Sequence, residues 1–252
     1  MKLGAQLYTV REHCKDLDSL EGTLKRVAEI GYTSVQLSGV CAYDASWMKE
    51  RLDLYGLTAD ITHYDINKIA DETEKTIEHH RIMGCHHIGI GSLPMGATPE
   101  GLDKMEERLL APMKKIADAG HRFMFHNHNM EYARFDGNTF IDLLCKRFPS
   151  ELCGITLDAY WVQAGGASPC REIERLAGRV NCVHLKDMVY SPEDKGVRMA
   201  PVGMGNMDYP AIIEACKRAG VTHVFVEQDN CYGVDSFECL RLSYEYLKDM
   251  VK

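Results

Sequence analysis

The chain has 252 residues, 45% of them hydrophobic and 26% charged, which describes a soluble globular protein. Twenty-nine Lys and Arg stand against 37 Asp and Glu, and the formal net charge of -8 argues against nucleic-acid binding, which draws its affinity from a surplus of basic side chains. No apolar run approaches the roughly 18 residues that span a bilayer, and the N-terminal MKLGAQLYTVREH holds no stretch of signal-peptide length, so no membrane partner and a cytoplasmic location are expected.

The first predicted strand is LGAQLYT near residue 3, followed by TVREHCKD, which lacks the glycine-rich turn of a dinucleotide fold. Leu20, Leu24, Val27 and Ile30 then recur at helical spacing, Gly31 suits a left-handed cap, and TSVQLS follows as the second strand. The same plan repeats at Gly56, Gly84, Gly120, Gly178 and Gly220. It yields strands at LTADITH, HHIGIGS, RFMFHNH, CGITLDA, VNCVHLK and THVFVEQ. Helix starts are marked by Asp44, by Thr98 with Pro99, by Ser168 with Pro169, and by Asp208 ahead of Pro210. Eight strands alternating with helices every ~30 residues, with no linker between them, predict an α/β protein: one (β/α)₈ barrel domain over residues 1–252. An open doubly wound sheet is the competing architecture. Eight repeats leave little room for insertions, so closure over the mouth falls to short loops or to a neighbouring subunit of a homo-oligomer.

The ten cysteines are scattered singly without a CxxC pair, and reduced, mostly buried thiols are expected. His79-His80 sits in a charged run, and His86-His87 opens a strand at the end opposite the mouth; both pairs read as structural or solvated. The scattered methionines read as core filler.

In a barrel the C-terminal strand ends converge on one mouth, where catalytic groups gather. The last four predicted strands place His126, Asp158, His184 and Glu227 there, each directly after an apolar run. Two imidazoles and two carboxylates from adjacent strands suit one divalent metal ion, Mn²⁺, Co²⁺, Fe²⁺, Zn²⁺ or Mg²⁺, with His128 an alternative to His126 as ligand. The other strand ends add Gln6, Tyr8, Gln36, Ser38 and His63, while Asn127, His128 and Glu131 flank His126, and Lys186 and Asp187 follow His184. So many directional donors and acceptors suit a polyhydroxylated small molecule, with Tyr160 and Trp161 as an apolar or stacking wall. Few basic residues reach the mouth besides Lys186 and Arg11, which favours an unphosphorylated substrate.

Taken together, FHNHNMEY, TLDAYWVQAGGASP, VHLKDM, PVGMGNMDYPAI and FVEQDN resemble the xylose isomerase-like TIM-barrel family of sugar isomerases and epimerases, over nearly the whole chain. The resemblance implies Asp158, His184 and Glu227 as metal ligands, Glu227 doubling as a base, and a fourth ligand at His126 where many family epimerases carry glutamate. Gln36 and Met204 also stand where relatives often carry glutamate. The exchange at His126 leaves one obvious carboxylate base, with Glu131 a second candidate, so a symmetric two-base mechanism is in question.

The implied reaction is metal-assisted proton transfer next to the carbonyl of a keto sugar or related polyol, through an enediolate. Glu227 takes the proton, and Glu131 or Lys186 exchanges one on the other side or on oxygen. Gln6, Tyr8, Gln36, His63, His128, Trp161 and Lys186 are the expected substrate contacts. Loss of a β-substituent from the same enediolate would make the enzyme a lyase or dehydratase. A nuclease and a non-catalytic sugar-binding subunit are the rivals from other classes, the former opposed by the acidic charge.

Overall fold

The computed structural model describes residues 1–252. Eight parallel strands form a closed ring in chain order: β1 (Lys2–Gln6), β2 (Ser34–Leu37), β3 (Thr58–His63), β4 (His87–Ile90), β5 (Arg122–His126), β6 (Cys153–Asp158), β7 (Val180–Leu185) and β8 (His223–Val226). Pairing of Lys2 with His223 and of Gly4 with Ser34 ties β1 to both β8 and β2, so no edge is left open and the doubly wound alternative is excluded.

Local signals account for most of the helices between the strands. Helix Leu17–Ile30 starts at Asp16, whose carboxylate accepts from the Ser19 N–H at 2.8 Å, and turns Leu20, Leu24 and Val27 onto the barrel. Asp44, Thr98 and Asp208 cap their helices in the same way, whereas Ser168 makes no side-chain cap bond. Gly84 and Gly220 end their helices in the left-handed conformation, letting the chain reverse into β4 and β8.

Apolar side chains fall into two layers. A core of 57 buried residues fills the space between strands and helices, while Ile61, Met124, Cys182 and Phe225 form a separate cluster of inward-facing positions. Two glycines make room for them. A Cβ at Gly4 would sit 2.5 Å from the Phe225 ring, and one at Gly154 would sit 2.5 Å from Met124 Sδ. The ten cysteines are all free, six of them buried.

The structure departs from the sequence reading at two places. β1 stops at Gln6, because the Gln6 side-chain oxygen accepts from the Tyr8 N–H at 3.0 Å and starts a 3-10 turn over Leu7–His13. Between β7 and its helix the chain inserts an antiparallel hairpin, Asp187–Ser191 with Gly196–Ala200, so there is more structure above the barrel than eight bare repeats leave room for. A smaller hairpin pairs Arg134–Phe135 with Asn138–Thr139 after β5. No helix is long and apolar enough to cross a membrane.

Candidate active site

The ends of β5 to β8 meet at the mouth. His126 closes β5, Asp158 closes β6, His184 is the penultimate residue of β7, and Glu227 follows β8. One donor atom from each lies within 4.8 Å of all the others, and all four residues are buried.

Neighbouring groups aim each of these side chains. His126 Nδ1 lies 3.1 Å from the Gly91 carbonyl, which makes that nitrogen the donor and leaves Nε2 facing Asp158 Oδ2 at 3.4 Å. His184 Nε2 lies 2.6 Å from Gln36 Oε1, turning Nδ1 toward Glu227 Oε2 at 3.0 Å and Asp158 Oδ2 at 3.6 Å. Asp158 divides its work: Oδ1 accepts from the Trp161 N–H at 3.1 Å as a helix cap, and Oδ2 faces the cluster.

Two buried atoms in this arrangement, His184 Nδ1 and Glu227 Oε2, face each other at 3.0 Å without a well-aligned hydrogen bond, and Lys186 Nζ lies 3.0 Å from the same Oε2. A cation among them would give both atoms a direct partner. Two imidazoles, each tied at its outer nitrogen, together with two carboxylates form a donor set that fits a divalent metal ion.

Lys186 enters the same cluster. Its Nζ is 3.1 Å from Asp158 Oδ2, 3.0 Å from Glu227 Oε2, and 3.0 and 3.1 Å from the two oxygens of Asp229. Burial opposes the ionisation of Asp158, but the Lys186 charge and hydrogen bonds from the two histidines outweigh it and hold the carboxyl well below its usual range. Glu227 is lowered against the same burial by Lys186 and His184. Asp229 moves the other way: burial, then the Glu227 charge, lift it to about 6. Burial works against the charge on Lys186 too, yet its three carboxylates raise it. His184 is raised by Glu227 and Asp158 in spite of burial. His126 and His63 are depressed chiefly by burial.

A cavity of about 350 Å³ opens above the cluster, lined by Tyr8, Ser38, His63, Gly91, Ser92, His126, His128, Lys186, Glu227 and Asp229. Several residues expected at the mouth stand behind this lining. Gln6 and Gln36 are fully buried, Gln6 beside His63 and Gln36 against His184. Trp161 backs His128, with ring centroids 5.6 Å apart, and faces Lys186 Nζ at the same distance. Asn127 ties β5 to β6 by accepting from the Asp158 N–H at 2.9 Å. Glu131 turns its carboxylate to the His128 N–H at 2.8 Å, supporting His128 from beneath. Asp187 accepts from the N–H groups of Met188, Gly203, Gly205 and Met207, pinning the loop after the hairpin, on which Met204 is exposed.

Sequence reasoning missed Asp229, Gly91 and Ser92. Asp229 lies two residues beyond Glu227, the spacing at which an extended chain returns to the same face. Gly91 and Ser92 contribute backbone and a short hydroxyl, which leave little trace in a pattern of polar strand ends. His80 is structural, its two ring nitrogens held by Thr62 Oγ1 at 2.8 Å and the Thr76 carbonyl at 2.7 Å.

Solved structures resemble the whole chain in fold. A sugar phosphate isomerase/epimerase from Parabacteroides distasonis ATCC 8503 superposes with a TM-score of 0.85 at 22% identity, over 100% of this chain and 95% of its own. An L-ribulose 3-epimerase gives 0.77 at 14% identity, over 100% and 95%. The probable 3-DHS dehydratase AsbF of Bacillus anthracis gives 0.74 at 16%, over 98% and 99%. At these identities the likeness is one of fold. No protein of curated function matches the sequence. The model of the xylose isomerase-like TIM barrel matches residues 24–241, and with that span, the closed barrel and the ligand cluster at its mouth, the chain belongs to the xylose isomerase-like TIM-barrel family.

Proposed function

We propose that the protein is a metal-dependent isomerase or epimerase that moves a proton next to the carbonyl of an unphosphorylated keto sugar or related polyol. The observation that carries this reading is the cluster of His126, Asp158, His184 and Glu227, with donor atoms within 4.8 Å, opening on a polar cavity. His126, Asp158, His184 and Glu227 would hold a divalent ion, which would supply positive charge against the negative charge that develops next to the carbonyl.

The chain's own residues do the rest. Glu227, kept ionised by Lys186 and His184, accepts the proton from the substrate carbon. Lys186, 3.0 Å from Glu227, is a charged donor able to protonate the developing oxyanion and take the proton back. His63, His128, Tyr8 and Ser38 bind and orient the hydroxyl groups, and Trp161 behind His128 keeps that wall in place. Glu131 supports the site through the backbone of His128.

One observation favours a second reading, a lyase or dehydratase acting on the same class of substrate. Glu227 is the only carboxylate of the ligand cluster that lines the cavity, Asp158 is fully buried, and Glu131 is tied to a backbone N–H. Removing and returning a proton on opposite faces favours a second base across the substrate, whereas elimination needs one base and a leaving group. A sugar-binding subunit without activity would bind its ligand equally well without metal.

The test is incubation of the metal-loaded protein in D₂O with a panel of ketoses, 3-keto glycosides and inososes, followed by NMR. Deuterium at a retained carbon is the expected result. An enone product would replace isomerisation by elimination, and absence of both with metal-independent binding would leave the binding subunit.

A further inference from the structure

The geometry points to Asp229 as the seat of the Lys186 ammonium, a positioning residue that clears the ligand cluster for its divalent cation. This inference rests on the metal-site reading above and adds to it a role for two residues that hold no metal themselves.

Lys186 is 2% exposed, and its Nζ touches three carboxylates at 3.0–3.1 Å. Two of them, Asp158 and Glu227, belong to the ligand cluster, and the ammonium meets the same oxygens, Asp158 Oδ2 and Glu227 Oε2, that face the histidine nitrogens. A lysine on those oxygens competes with a metal ion for them. Asp229 alone of the three carboxylates stands outside the cluster, and it meets Nζ with both oxygens, a two-point contact that neither ligand offers. Three carboxylates face one ammonium, so a divalent cation completes the charge balance while the lysine stays buried as the partner of Asp229. The Trp161 ring, 5.6 Å from Nζ, closes the site on another side and leaves Asp229 as the ion-pair partner remote from the ligands.

The experiment is a double-mutant cycle read as metal affinity, independent of activity. Metal-stripped full-length protein is titrated calorimetrically with Mn²⁺ and with Zn²⁺ for the wild type, Asp229→Asn, Lys186→Met and the double variant, with circular dichroism checking the fold. Asp229→Asn leaves Lys186 no seat except the ligands, and is expected to weaken Kd by ~10-fold or more. Lys186→Met removes the competitor and is expected to tighten Kd by ~10-fold. In the Lys186→Met background the Asp229→Asn change should fall below ~threefold, because the residue it positions is gone. Asp229→Glu should recover most of the wild-type affinity. An equal loss from Asp229→Asn in both backgrounds would overturn the inference, since Asp229 would then act on the metal by charge alone. Unchanged Kd in Asp229→Asn would overturn it as well. Should Lys186→Met not fold, Lys186→Gln completes the same cycle. A wild-type protein that binds neither ion would instead overturn the metal site itself.

Discussion

The barrel carries histidines and carboxylates at both ends, and the two ends use them differently. At the floor Asp60 is a satisfied hub: its carboxylate accepts from Lys2 at 3.1 Å, Ser34 at 2.6 Å and Thr58 at 2.7 Å, with His223 at 3.6 Å, while its carbonyl meets His87 Nδ1 at 2.9 Å. At the mouth the outer nitrogens of His126 and His184 are equally well held, yet His184 Nδ1 and Glu227 Oε2 converge on each other and on Lys186 without well-aligned hydrogen bonds. Polar density is therefore no guide to chemistry here. What separates the two clusters is whether their lone pairs end in well-aligned hydrogen bonds.

Substitutions at the two ends should split along that line. The largest effect is expected for Glu227→Gln, which removes the base: solvent deuterium exchange should fall by about 10³-fold in a protein that still folds. Exchange that survives undiminished would remove Glu227 from that role. Next come His126→Ala and His184→Ala, each expected to lower metal affinity by more than about 100-fold in a direct titration, whereas His128→Ala should act on KM and leave metal affinity nearly unchanged. Equal metal loss in all three would mean that His128 belongs among the ligands. Gln36→Leu, which frees the outer nitrogen of His184, should weaken metal binding by about 10- to 100-fold and leave thermal stability of the metal-free protein nearly intact.

At the floor Asp60→Asn should do the reverse, lowering unfolding free energy by about 1–3 kcal/mol in a denaturant titration with unchanged exchange kinetics per folded molecule. An effect of pH of similar size is expected at the same end. Burial holds His87 down to about 4, against an ordinary 6.5, although its bond to the Asp60 carbonyl works the other way. Between those values the unfolded chain binds a proton that the folded one refuses. The contribution of His87 is thus complete above pH ~6.5 and is lost as the pH falls toward ~4, by about 3 kcal/mol. His87→Gln should flatten that part of the stability profile, and an unchanged slope would assign acid sensitivity elsewhere.

The strand and helix alternation was legible because most helices are followed by a glycine and most strands carry an apolar run, signals that operate within a few residues. The ligand cluster was legible for a related reason: His126, Asp158, His184 and Glu227 each break an apolar run at the position where a barrel strand reaches its mouth. Direction was not. Whether Glu131 faces the cavity depends on the 3-10 turn Met130–Tyr132, which swings its carboxylate back to His128, and that turn has no periodicity to read. Gln36 looked like a substrate contact because its neighbours are strand-end polar groups, but only the register of β2 shows it pressed against His184 from the far side of the barrel. The hairpin after β7 left a trace in the alternation of DMVYS and GVRMA around a turn that includes Lys195 at φ 50°, in a stretch that carries no predicted element ahead of the helix start at Asp208.

The Asp187 clamp has a consequence for how this fold can diversify. It holds the loop 201–207 through main-chain N–H groups, and the steric demands fall on two glycines: a Cβ at Gly203 would strike the Tyr246 ring, and one at Gly205 would strike Asp187 itself. Val202 is buried in the core and Met207 packs against it, while the Met204 side chain, 60% exposed, is free of the attachment. The loop is in effect a cartridge with a fixed fitting and an exposed face at Met204 and Asn206, so changes at those two positions alter the rim without touching what anchors it.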